Sequence, residues 1–271
     1  MRNRKDIQSL FYAAAAAGVL WLNWHLGASP WLVVTYPLAL LLAFLMVLVG
    51  HNHAHLPLFY RRPWNRLASH YLAIFYGHPL VIFIPVHLQN HHKHRNTDQD
   101  WTATYKVSDG KGVRTLLAYH FHCSRQVMVG YGRIIRRLYS HRPGIFRDWA
   151  SYYAVFLAVN GLFLLINPWK AFFFLILPGQ LSIFFLHTIN FIQHVSTDSE
   201  DDYRSSRDFV SPWWNTLLLN AGFHTVHHLH PSAHWSEYPA KHSAIAHKLD
   251  SNLIEADPFS YTFRKYLRSR R

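Results

Sequence analysis

From Leu10 to Gly50 this chain carries no Lys, Arg, Asp or Glu. The run breaks at Gly27-Ala28-Ser29-Pro30 into two apolar stretches, each close to the ~20 residues that cross a bilayer. Two more uncharged runs follow, Trp149 to Trp169 and Ala171 to Ile192. Inside a bilayer no water satisfies backbone N–H and C=O groups, so each such segment must close its hydrogen bonds internally, and runs of this length do so as helices. Trp31, Trp149, Tyr152 and Trp169 stand at the ends of these runs, where amphipathic rings suit the membrane–water boundary. The near-zero mean hydropathy of the whole chain averages these runs with strongly polar segments. Met1-Arg2-Asn3-Arg4-Lys5 is basic, but the apolar stretch after it is long and has no clear cleavage site, so it reads as a retained span.

Charge orients the spans. With helices at about 8–27, 31–50, 150–167 and 171–192 and the N-terminus in the cytoplasm, segments 1–7, 51–149 and 193–271 lie inside. They hold every Lys and Arg except Lys170, 26 of the 27, which is a strong positive-inside pattern. Ser69 to Gln89 is also uncharged, but Gly77-His78-Pro79 divides it. A full crossing there would put the basic region 91–148 outside. The segment, about 69–87, therefore reads as interfacial or re-entrant. The expectation is an all-α integral membrane protein in one domain over 1–271, with four transmembrane helices, that interfacial segment, and a cytoplasmic helical cap made of 51–149 and 193–271.

The formal charge of +13 fits anionic lipid headgroups on the inner face or an acidic redox partner. The ending Arg264-Lys265-Tyr266-Leu267-Arg268-Ser269-Arg270-Arg271 reads as a headgroup-facing tail. Topology accounts for the charge and no nucleic-acid motif is visible, so nucleic acid is not expected as a partner. One Cys, Cys123, excludes an internal disulfide and any all-Cys metal site. Against this scarcity stand 22 His.

The histidines cluster in four places. His51-Asn52-His53-Ala54-His55 sets His51 and His55 on one helical face. His87 to His94 brings His87, His91 and His92 together, with His94 as an alternative. Asn190 and His194 share a face at the inner end of the last span. Finally Gly222-Phe223-His224-Thr225-Val226-His227-His228-Leu229-His230-Pro231 contains H-x-x-H-H, whose members at i, i+3 and i+4 can point three imidazoles at one spot. All four lie at the inner boundary under a topology derived from charge alone. Imidazole ligates iron, copper, zinc and nickel, and so many imidazoles gathered at one depth would cost much to bury without a metal or full hydrogen bonding.

The set resembles the histidine boxes of the integral-membrane fatty acid desaturase and hydroxylase superfamily: H-x(3)-H after the second span, H-x(2,3)-H-H some tens of residues on, and H-x-x-H-H near the C-terminus. Asn190 with His194 looks like the Asn-x(3)-His of acyl desaturases, whose Asn acts through water. The resemblance implies a non-haem di-iron centre held by His51, His55, His87, His91, His92, His194, His224, His227 and His228, with His53 and His94 as alternative ligands. It implies Asp98 and Asp100, after the second box, as acids orienting ligand imidazoles.

Such a centre uses two iron ions and O2 to oxidise C–H bonds of a lipid acyl chain, and it needs no catalytic residues beyond the ligands. Desaturation is the expected outcome; hydroxylation, carotenoid oxidation and alkene-forming decarboxylation are alternatives on the same fold. The chain has no haem-binding domain, iron–sulfur cysteine set or dinucleotide fingerprint. A separate ferredoxin, rubredoxin or b-type cytochrome is then the expected electron donor. The chain is short for the family, which implies a minimal bacterial member, expected in the inner membrane with both termini cytoplasmic on the charge pattern. A histidine-rich metal transporter or sensor is the non-enzymatic rival, but transporters set their polar residues at mid-membrane depth, whereas these clusters sit at span ends. A bis-histidine membrane haem protein would need facing histidines inside two spans.

Overall fold

The computed structural model describes residues 1–107 and 112–268, so the tail end 269–271 lies outside the described residues. The long helices are α1 (Ile7–Leu26), α2 (Leu32–His55), α3 (Arg62–Tyr76), α4 (Val113–His141), α5 (Pro143–Ile166) and α6 (Pro168–His194, with a π-helical stretch at Phe172–Ile176). Among the described residues, α2, α5 and α6 are the helices long and apolar enough to cross a membrane. The first expected span forms a helix but is not among them: Ala13–Ala17 supplies much of its apolar content, and Gln8, Asn23 and His25 dilute it. Arg62–Tyr76 and Leu80–His94, bent by 95° at the break between them, together make the fourth candidate. That bend falls on Gly77-His78-Pro79, the interruption expected to make this segment interfacial or re-entrant.

The chain divides into two compact units, Met1–Ile84 with Ile134–Leu186, and Pro85–Arg133 with His187–Arg271. In the first unit α1 and α3 pack on α2. Every side chain of α2 from Leu42 to Val49 is buried, as befits a helix that is apolar all round. Gly77 ends α3 at φ 78, and a Cβ there would stand 3.1 Å from the backbone of Gly179, so two glycines permit a close backbone approach. Arg66 donates to Asp148 at 2.7 Å and to Ser151 at 2.6 Å, tying α3 to α5. Lys170, the one cation outside the basic segments, donates to the carbonyl of Trp24 at 2.6 Å in the last turn of α1, where the helix dipole favours a positive charge.

The second unit is short elements and polar loops. A π-helix, Ile84–His91, runs on through His92–His94 and stops at Arg95 and Asn96, both with positive φ (32° and 64°). Asn96 holds the turn: its side-chain oxygen accepts from the Thr104 amide at 2.7 Å and its amide donates to the His194 carbonyl at 3.1 Å. Strands β1 (Asp208–Phe209) and β2 (Ile254–Glu255) pair in parallel, Asp208 beside Ile254. Helices α7 (Pro212–Leu217), α8 (His224–Leu229) and α9 (Tyr238–Ile245) complete the frame used below.

Gly222 sits where β1 meets α8. Its N–H donates to Asn215 Oδ1 at 3.0 Å and its carbonyl accepts from the Phe209 amide at 2.9 Å. A Cβ would fall 2.6 Å from Asn215 Oδ1 and would overlap the Phe209 carbonyl oxygen. Gly222→Ala is therefore expected to destabilise the protein by roughly 1–3 kcal/mol, the usual cost of overpacking. A lowered melting temperature in detergent would show it, and an unchanged one would refute the tight junction.

Candidate metal centre

Helical geometry first sorts the imidazoles. Residues on an α-helix advance about 100° each, so His228 lies about 40° to one side of His224 and His227 about 60° to the other, which leaves His227 and His228 about 100° apart. The Nε2 atoms of His224 and His228 stand 3.1 Å apart, and His194 at the end of α6 brings its own Nε2 to 2.9 Å from His224 and 3.2 Å from His228. His91 completes a buried group of four, all of whose ligand atoms lie within 4.8 Å of one another. His227 joins a second cluster, its Nε2 2.9 Å from that of His92 and 3.4 Å from that of His87. The expectation that His224, His227 and His228 converge on one spot is corrected by that rotation.

The second box divides in the same way. His87 and His92 are five residues apart, and a π-helix, with its i to i+5 hydrogen bonds, sets such residues on one face. Their Nε2 atoms are 3.1 Å apart, while His91 belongs to the other group. In the first unit His51 and His55 lie one turn apart on α2 with ring centroids at 4.9 Å.

Hydrogen-bond partners fix tautomers. His194 Nδ1 lies 2.9 Å from the carbonyl of Ser205, which can only accept, so Nδ1 carries the proton and Nε2 the lone pair. His91 Nδ1 meets the Asp100 carboxylate at 2.8 Å, leaving Nε2 bare by the same reasoning; that Nε2 is buried with no hydrogen-bond partner. His227 Nδ1 is 3.1 Å from the hydroxyl of Tyr238 on α9. Three Nε2 atoms meeting at 2.9–3.2 Å match the separation of about 3 Å expected of imidazoles that share one ion at ~2.1 Å. Neutral nitrogen donors in this number, with an orphaned buried Nε2 among them, fit a borderline transition metal such as iron.

Electrostatics agrees with the donor set. Burial, reinforced by the His224, His92, His194 and His91 imidazoles, pushes His228 well below 6.5, so it stays neutral and its lone pair is available. A group depressed in this way supports the fold fully above about 6.5, its unfolded value, and that support is lost as the pH falls below it. Protons also compete directly for ligand nitrogens. Retention of metal and melting temperature are expected to be flat above about pH 6.5 and to fall together below it; metal retained in full at pH 5 would contradict this. Burial works to raise Asp100, but the His91 imidazole and the amides of Thr102 and Asn96 outweigh it and hold the carboxyl well below the ordinary range.

Other expected site residues fall elsewhere. Asp98 is exposed and accepts from the Tyr105 hydroxyl. His53 spends both ring nitrogens inside the first unit, Nδ1 on the Leu58 amide at 3.2 Å and Nε2 on Asn65 and Ser69 at 3.2 Å. His94 belongs to neither imidazole group of the second unit. Asn190 donates from its side-chain amide to the hydroxyl of Tyr119 on α4 at 2.6 Å. Sequence spacing did not point to Tyr238, Tyr119, Thr102 or the Ser205 carbonyl, because each reaches its partner from a different segment. Asp208 was also missed; it accepts from the Thr225 amide at 2.8 Å and caps the first turn of α8.

Residues 28–258 match the family model described as fatty acid desaturase. No curated protein matches the chain at a significant level. The match covers most of the chain and both imidazole groups of the second unit. The chain belongs to the fatty acid desaturase family, a family of membrane di-iron oxidoreductases that act on lipids.

Proposed function

We propose that this protein is an O2-dependent desaturase of a lipid acyl chain, with His51, His55, His87, His91, His92, His194, His224, His227 and His228 holding two irons. The observation that carries this reading is the buried group of His91, His194, His224 and His228, in which Asp100 and the Ser205 carbonyl hold the Nδ1 atoms of His91 and His194 and leave their Nε2 atoms bare. His51 and His55 enter the ligand set on the family pattern. Two bound irons would supply the redox equivalents and oxidising power that O2 needs to take hydrogen from an unactivated C–H bond. The protein's part is orientation and exclusion of water: Asp100, the Ser205 carbonyl and Tyr238 hold imidazole rings in place, and the burial of the four-histidine group keeps bulk water out.

Orientation in the membrane follows from charge. Placing 51–149 and 193–271 in the cytoplasm, as a cap, keeps all but one of the 27 Lys and Arg on one face. Both termini are then cytoplasmic, and the inner membrane of a bacterium is the proposed location. Exposed Arg136, Arg137, Arg142 and Arg147 of the first unit suit docking of an acidic electron donor, a ferredoxin, a rubredoxin or a b-type cytochrome.

The test is product analysis. Purified protein, loaded with iron and given a ferredoxin, its reductase, O2 and acyl lipid, is expected to yield a monounsaturated chain by mass spectrometry. An oxygenated or chain-shortened product would assign hydroxylation or alkene formation instead. Iron flux across proteoliposomes without any lipid product would assign transport.

A further inference from the structure

Asn190 stands one turn before His194 on α6, and its amide has two ends with opposite hydrogen-bonding characters. Which end faces the metal site is decided by a residue on another helix. Tyr119 is fully buried on α4, and its hydroxyl lies 2.7 Å from the carbonyl of Thr102. A carbonyl only accepts, so the phenol proton is committed to Thr102. Toward Asn190, at 2.6 Å, the same oxygen can then only accept. The NH2 end of the amide must therefore face Tyr119, and the carbonyl oxygen must face away from it.

We infer that Tyr119 is a positioning residue of the metal centre: through its hydroxyl it locks the Asn190 amide with the acceptor oxygen turned away from the phenol, ready to receive a hydrogen bond from water in the site. The inference rests on the di-iron reading above. Its second arm reaches a ligand. Thr102, whose carbonyl Tyr119 binds, donates through its own hydroxyl to Asp100 at 2.8 Å, and that hydroxyl lies 3.0 Å from His91 Nδ1. One phenol thus couples Asn190 on α6 to the loop that orients His91. Burial and the neighbouring Cys123 push the phenol well above 10, so it stays a neutral donor throughout the working range.

The experiment compares Tyr119→Phe, Asn190→Ala and the double variant with wild type, each loaded with 57Fe and reduced. Iron per chain and the Mössbauer spectrum are the readouts. Iron stoichiometry is expected to stay at the wild-type level in all four. Asn190→Ala is expected to shift the quadrupole splitting of one iron component; Tyr119→Phe should shift the same component, and the double variant should match Asn190→Ala, because a residue acting through Asn190 adds nothing once Asn190 is gone. A wild-type spectrum for Tyr119→Phe or for Asn190→Ala overturns the inference, and so do shifts that add. If Tyr119→Phe does not fold, 3,5-difluorotyrosine at position 119 keeps the ring and hydroxyl while weakening the acceptor. It should move the same component by a smaller amount, and no movement overturns the inference. A wild-type protein that takes up no iron would overturn the proposed function, and this inference with it; a wild type with two irons and an unmoved spectrum in Tyr119→Phe overturns the inference alone.

Discussion

His228→Ala is expected to empty the four-histidine group of iron and to lower product formation by at least roughly a thousandfold, about 4 kcal/mol in transition-state terms. His228 Nε2 is within 3.2 Å of both His194 and His224, so truncation removes one donor from the tightest part of the group. Nothing within the group replaces it, because the other three imidazoles already bring one ligand atom each to the same cluster. The neutral state that makes His228 a donor is enforced by burial and by four neighbouring imidazoles, a set that no exposed histidine reproduces. His53→Ala is the matched control. It removes a buried histidine whose nitrogens are spent on Leu58, Asn65 and Ser69, so it should cost stability, about 1–3 kcal/mol for the unpaired groups left behind, with iron content unchanged. Metal analysis alongside mass spectrometry of lipid products separates the two variants. Wild-type iron and product in His228→Ala would remove it from the ligand set.

The contrast between those two histidines shows what the sequence made legible. Uncharged runs predicted α2, α5 and α6, because a chain that excludes charge for twenty residues has few other uses for it. Their ends were less legible. The runs end where charge begins, whereas helices end at caps: α5 starts at Pro143, well ahead of its uncharged run, and the Asn167 side chain caps the start of α6 at Lys170 N, 3.0 Å away. The break at Gly77-His78-Pro79 was visible because glycine at positive φ and proline both stop a helix locally. The amino-acid pattern also marked nearly all the imidazoles that the second unit gathers. It did not divide them between two groups, since that depends on the rotation of α8 and on a π-helix at Ile84–His91, where the i to i+5 pairing replaces the α-helical one. The orienting partners were the least legible part. Ser205 and Tyr238 lie 11 residues from His194 and His227 respectively, in connections whose path is set by packing rather than by periodicity. Asp98 and Asp100 looked equivalent in the sequence and are not: one is exposed, the other fully buried.

That inequivalence gives the second large effect. Asp100→Asn is expected to weaken iron binding about 10–100-fold, the range found when an orienting partner of a ligand histidine is removed, while Asp98→Asn leaves it unchanged. Asp100 accepts from the Asn96 amide, the Thr102 amide and the Thr102 hydroxyl, each at 2.8 Å, and meets His91 Nδ1 at 2.8 Å. Asparagine keeps the shape but offers one accepting oxygen and one donating NH2. If the oxygen serves Thr102, the NH2 faces His91 and the Asn96 N–H, and Nδ1 must become the acceptor. The proton then moves to Nε2, which takes away the lone pair the metal would use. If the oxygen faces His91 and the Asn96 amide instead, the NH2 is driven against the Thr102 N–H and the loop loses that anchor. Either arrangement weakens the site. The pH dependence has a definite sign. The Asp100 carboxyl is held below its ordinary value, so its contribution is complete above the unfolded value of about 3.8 and is lost as the pH falls through the depressed folded one. Wild type should therefore melt above Asp100→Asn by a constant margin at neutral and mildly acidic pH, with the margin closing only below about pH 4. Undiminished iron affinity in Asp100→Asn would mean that His91 does not bind through Nε2, and the buried group would then have to hold its metal with three imidazoles.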